Sequence, residues 1–139
     1  MGNISLVNRF IKTIEDGAIN ESFLSDDLKV EGIKPLPMGK SQYVEYLEML
    51  KKSFPDLTFN CKEIKQDGPC TIIAKVKLSG TNSAPFNIPD VPLHPQTGKK
   101  FVLPVETEEY VVERNSISRI KVNSSRTGAI IERLGINPY

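Results

Sequence analysis

Thr71-Ile72-Ile73-Ala74-Lys75-Val76-Lys77-Leu78-Ser79-Gly80-Thr81 is the stretch that decides the fold. Ile72, Ala74, Val76 and Leu78 fall on one side of an extended chain, and Lys75, Lys77 and Ser79 on the other. That period of two is the pattern of a half-buried antiparallel strand. Upstream, Gln66-Asp67-Gly68-Pro69 reads as a turn and Leu57 to Ile64 as the strand that enters it. Downstream, Pro85 to Thr97 is a long proline-rich connection. Phe101 to Glu113 and Ile117 to Asn123 then form a further hairpin around Arg114-Asn115-Ser116.

The N-terminal part has a different period. Leu6, Val7, Phe10, Ile11 and Ile14 recur at helical spacing between Ile4 and Asp16, with Gly17 as the cap. A short helical or irregular piece follows at Ala18 to Leu24, then an extended stretch from Leu28 to Ile33. Ser41 is placed to cap a helix from Gln42 to Ser53, whose apolar face is Tyr43, Leu47, Leu50 and Phe54. Tyr46 is expected at the surface. A last helix runs from about Thr127 to Leu134, before Gly135. Helices followed by antiparallel strands predict an α+β domain, with the helices in the concave face of a curved sheet. At 139 residues, one domain spanning 1–139 is the simplest organisation.

Composition narrows the functional classes. Eighteen basic and seventeen acidic residues give a formal charge of +1, and Lys51-Lys52 and Lys99-Lys100 are too small for a nucleic-acid track. One histidine and two cysteines without a CxxC spacing do not make a metal centre. Cys61 and Cys70 do not face each other across their hairpin, which suits a reducing cytoplasm. No apolar run is long enough to span a bilayer. No cofactor is implied, and sequons at Asn3, Asn20 and Asn123 carry no meaning inside a cell.

Four fragments, Phe54-Pro55-Asp56-Leu57, Ser79-Gly80-Thr81-Asn82, Thr97-Gly98-Lys99-Lys100-Phe101 and Glu132-Arg133-Leu134-Gly135, together resemble the SnoaL-like polyketide cyclases of the nuclear-transport-factor-2-like superfamily. The resemblance covers most of the chain. It implies a cone-shaped half-barrel of curved antiparallel sheet wrapped around the N-terminal helices, an apolar cavity, and a homodimer paired through the outer sheet face. In that family an aspartate stands nine residues before the final glycine and acts as the catalytic acid, and here that place is Arg126. The places of the family's His-Trp pair hold Lys121 and Val122, and the threonine-histidine pair is Thr81-Asn82. An arginine stays protonated, so Arg126 cannot transfer a proton as an aspartate does.

The candidate site residues are therefore Tyr43, Asn82, Glu108, Tyr110 and Arg126. Glu106, Glu108, Tyr110 and Val112 share one face of their strand. If that strand is continuous from Phe101, then Phe101, Leu103, Val105, Thr107, Glu109 and Val111 share the other. A bulge would exchange the faces. The bland reading makes the glutamates a solvated face and Arg126 an exposed helix start. Alone in an apolar cavity, Glu108 would be a general base of raised pKa, whereas paired with Arg126 it is a structural ion and a poor base. Tyr43 is expected to pack in the core. His94 reads as a loop residue. The long loop, with Phe86, Ile88, Val91 and Leu93, reads as a lid or a dimer contact. Three functions stay open. The first is a binder of a small, largely apolar molecule whose anionic or hydrogen-bonding end faces Arg126 and Tyr110. The second is a cyclase or isomerase with Glu108 as base and Tyr110 or Asn82 polarising a carbonyl. The third is a dimeric interaction module with its cavity filled by side chains.

Overall fold

The computed structural model describes residues 2–87, 93–122 and 126–136. Helix α1 (Asn3–Glu15) buries Leu6, Val7, Phe10, Ile11 and Ile14, the stripe its spacing predicts. Gly17 follows it in the left-handed region at φ 73°. A 3-10 turn, Glu21–Phe23, leads into β1 (Leu24–Glu31), which begins earlier than the extended stretch read from sequence. Helix α2 (Lys40–Ser53) starts slightly ahead of expectation. Its N-cap is Gly39, whose N–H donates to the Gln42 side chain at 3.0 Å, so Ser41 lies inside the helix and not at its cap. The buried face is also wider than a single stripe, taking in Val44, Tyr46 and Ser53. Tyr46, expected outside, is buried (1% exposed).

The strands β2 (Glu63–Gln66), β3 (Thr71–Val76), β4 (Ser79–Thr81), β5 (Lys100–Val102), β6 (Glu106–Glu113) and β7 (Ser116–Lys121) follow. Two of the long strands read from sequence are thus each divided. Thr71 to Thr81 becomes β3 and β4, and Phe101 to Glu113 becomes β5 and β6. The main sheet has the order β1-β7-β6-β3-β2 and the smaller one pairs β4 with β5. All pairings are antiparallel except β1 with β7, which is parallel. Arg114 and Asn115, both at positive φ, make the tight β6–β7 turn. Leu57 to Lys62, expected as strand, is irregular. It is held by one bridge between Thr58 and Ser79 and by Glu15, whose carboxylate accepts from Thr58 Oγ1 at 2.9 Å and from Phe59 N at 2.8 Å.

The molecule is an α+β cone-shaped half-barrel with an unclosed sheet. α1, α2 and the inner sheet face share one apolar core containing Phe10, Tyr43, Leu47, Leu50, Phe54, Ile72, Ala74, Tyr110 and Ile120. Phe54, at the end of α2, packs on the smaller sheet and the long loop, in edge contact with Phe101 at 4.8 Å and with Phe86 at 5.9 Å. Helix α3 (Arg126–Leu134) closes against β5 through Ile130 and Leu134 and through Arg133 Nε, which donates to Val102 O at 3.0 Å.

Candidate functional site

The decisive local event is the change of sheet at Leu103-Pro104-Val105. Leu103 still bonds back to Leu78 O at 2.9 Å. Pro104 has no N–H to offer a ladder, and Val105 turns outward at 51% exposure. The alternation slips by one residue there, so Glu106, Glu108, Tyr110 and Val112 face inward, on the same side as Phe101 and Leu103. A continuous strand would have put them on opposite faces. Antiparallel pairing then sets Glu106, Glu108 and Tyr110 beside Val76, Ala74 and Ile72 of β3, in apolar surroundings. Of the four glutamates on β6, only Glu109 and Glu113 lie on the outward-facing side, half-buried and exposed respectively.

Arg126 is not an exposed helix start. It is 2% exposed, and Glu108 and Glu106 are 1% and 8% exposed. Its Nε donates to Glu106 Oε1 at 2.8 Å, while Nη2 bridges Glu106 Oε1 and Glu108 Oε2. The other oxygen of Glu108 accepts from the Tyr110 hydroxyl at 2.7 Å. The result is a buried chain of charge-assisted bonds, Tyr110 to Glu108 to Arg126 to Glu106. A cation in the first turn of a helix meets an unfavourable dipole worth about 0.3–1 kcal/mol, and two carboxylates in contact outweigh it. Burial works against the guanidinium's charge, but Glu108, with Tyr46 and Glu106, holds its pKa well above the ordinary arginine value.

The tyrosines of the interior shift for related reasons. Burial, reinforced by the negative charge of Glu108, pushes the phenol pKa of both Tyr43 and Tyr110 up. Tyr43 also packs on Phe10, with ring centroids 6.4 Å apart. A folded-state pKa above the unfolded value of 10.0 gives stability that is complete below pH 10 and lost as pH rises beyond it. In an alkaline titration, phenolate absorbance from these two tyrosines should therefore appear together with loss of the circular-dichroism signal. Appearance of their phenolates in a still-folded chain would contradict the packing described.

Asn82 is fully buried but is not bonded to this cluster. Its side chain donates to Ser53 O at 3.3 Å and Ala84 O at 2.8 Å, and accepts from Thr97 N at 2.8 Å and Thr97 Oγ1 at 2.9 Å. Every hydrogen-bonding position of the amide is engaged, clamping the base of the long loop to the end of α2. The loop itself pairs Phe86 with His94. Phe86 is buried, Leu93 is 69% exposed, and Ile88 and Val91 lie outside the described residues. His94 Nδ1 sits 2.7 Å from Pro95 O.

The structure thus bonds Glu108, Tyr110 and Arg126 together, places Tyr43 in the same core, and leaves Asn82 apart. Sequence reasoning missed Glu106 as a partner of Arg126, and it missed Tyr46. Among the described residues, two buried side-chain polar atoms have no hydrogen-bond partner, Tyr46 Oη and Arg126 Nη1. The i, i+3 spacing of Tyr43 and Tyr46 was the available signal for the second tyrosine. No group of three or more His, Cys, Asp or Glu side chains among the described residues is arranged to hold a metal ion. None of the described helices is long and apolar enough to cross a membrane.

No protein-family model and no curated protein matches the chain. Solved structures do match closely in shape. AclR from Streptomyces galilaeus, a candidate hydroxylase, superposes with a TM-score of 0.74 at 17% identity over 94% of this chain and 93% of its own. IdmH from Streptomyces antibioticus, a candidate polyketide cyclase, gives 0.72 at 17% identity over 95% and 97%. A SnoaL-like polyketide cyclase from Agrobacterium tumefaciens gives 0.68 at 21% identity over 97% and 100%. The chain has the fold of the SnoaL-like polyketide cyclases.

Proposed function

We propose that the chain binds a small, largely apolar molecule inside its cone and does not carry out acid-catalysed aldol cyclisation. Arg126 occupies the place where the SnoaL-like cyclases carry their catalytic aspartate. A guanidinium held protonated by two carboxylates neither gives nor takes a proton at any pH the protein meets. Glu108 is a poor general base in the same reading, because one of its oxygens accepts from Tyr110 and the other from Arg126.

One observation carries the binding reading: two buried polar atoms, Tyr46 Oη and Arg126 Nη1, have no hydrogen-bond partner. A buried donor without a partner costs about 1–3 kcal/mol, and such groups are usually answered by water or a ligand. The working unit in this proposal is a homodimer in the cytoplasm, paired through the outer sheet face. Native mass spectrometry of protein purified without added ligand tests both points. The expected spectrum shows a dimer carrying an extra small mass that disappears on mild denaturation.

A second reading has its own support. The Tyr110–Glu108–Arg126–Glu106 chain is almost closed to solvent, as an interior filled by its own side chains would be. A dimer of bare protein mass would favour that interaction module over the binder.

A further inference from the structure

The two edges of the main sheet are finished differently. At β1 the free side of the strand is covered, because Val30 and Met38 exchange N–H···O bonds in both directions at 2.9 Å. At the other edge β2 pairs only with β3. Asp67, just after β2, donates to Thr71 O at 2.8 Å. Antiparallel pairing alternates, so Lys65 and Glu63 also turn their main-chain groups toward β3. Ile64 between them turns its N–H and C=O outward, and no described residue bonds to them.

Open edges are commonly guarded by charge, and Glu63 and Lys65 are both exposed on the outer face of β2. Their order makes them more than a guard. When two copies of β2 pair antiparallel about a two-fold axis at Ile64, the two Ile64 residues exchange N–H···O bonds. Glu63 of each copy then stands opposite Lys65 of the other, in the closely spaced position where side chains interact most. Glu63 already faces Lys75 of β3 at 3.5 Å, so the charges alternate across the joint. A parallel arrangement would set Glu63 beside Glu63. On the inner face Ile64, half-buried and packed on the core, gains its own counterpart across the axis.

We propose that the β2 edge is a self-association site whose partner is a second copy of this chain, joined antiparallel through Ile64 and selected by Glu63 and Lys65. The contact is isologous and closes on itself. It goes beyond the ligand-binding reading and does not depend on it. It also uses the sheet's edge and not its outer face, so it is independent of the dimer proposed above.

Sedimentation velocity of the whole protein over a concentration series tests this, because so small a contact is weak. Glu63→Lys and Lys65→Glu each set two like-charge pairs across the joint. Each variant alone should associate through this edge at least roughly tenfold more weakly than the parent. Mixed in equal amounts, the two variants should recover the parent's association, since each then meets opposite charge at both positions. That recovery also shows that both are folded. A chain carrying both substitutions should self-associate as the parent does. Assembly that is unchanged in the single variants overturns the edge pairing and leaves the outer-face dimer standing. Single variants that associate weakly and do not recover on mixing overturn it as well, because the antiparallel register requires recovery. A parent that stays monomeric at every concentration overturns both pairings.

Discussion

Arg126→Leu should destabilise the protein by about 3–5 kcal/mol, the cost of stranding buried carboxylates without their cation. For a chain of this length that lowers the melting temperature by roughly 10–15 °C. Glu106 and Glu108 are 8% and 1% exposed, so water cannot take over the lost bonds. Arg126→Asp should be at least as damaging, because it places three carboxylates around one point. The combined variant Glu106→Leu, Glu108→Met, Tyr110→Phe and Arg126→Met removes every member of the chain at once. It should regain most of the lost stability, since buried ion networks are often replaced by apolar groups at little cost. Urea denaturation of the series checks this. A single Arg126→Leu variant as stable as the parent would mean that the three charges are not held together as described.

Gly32→Ala should cost about 3 kcal/mol or more. Gly32 sits just after β1 at φ 101°, in the region that L side chains avoid, and an added Cβ would stand 1.9 Å from the backbone oxygen of Val122. Neither a rotamer change nor a small local shift relieves a clash with backbone. The contact matters beyond its own energy. Val122 N donates to Glu31 O at 2.9 Å, so this close approach fixes where the chain leaves β7 on its way to Arg126. Gly128→Ala gives the contrasting sign. That glycine lies in α3 with nothing within 4 Å of its would-be Cβ, and alanine there should stabilise by a few tenths to about 1 kcal/mol. Thermal melts of the two variants read the difference directly. A Gly32→Ala protein that melts with the parent would show that the end of β1 is not pressed against Val122.

Elements whose signal is local are legible in the sequence. The α1 stripe from Leu6 to Ile14, the inward row Ile72, Ala74, Val76 and Leu78, and the Arg114-Asn115 turn all fold as their spacing predicts. So does the α+β class. The burial of Glu106, Glu108 and Tyr46 is not legible in this way. Glutamate is almost never fully buried unless paired, and the pairing cation lies about twenty residues away in the chain, on another element. The strand parity that turns both glutamates inward depends on a slip at Pro104, and period-two reading assumes an unbroken strand. Asn82 is misplaced by sequence reasoning for a similar reason. Its neighbours in sequence suggest a site, while its partners Ser53 and Thr97 make it a clamp.

The amino-acid sequence by itself determined the buried stripe of α1, the helix α2 and the alternating row of β3, and that such elements make an α+β domain. Those properties follow from short-range periodicity and residue identity, which neighbouring positions carry. Only the tertiary structure decided that Arg126 is bonded to both Glu106 and Glu108, and that its Nη1 and the Tyr46 hydroxyl are left without partners. Charge balance and hydrogen-bond saturation depend on which distant side chains meet in one low-dielectric place. Sheet register and the path of β5 into β6 set that meeting, and no local pattern does.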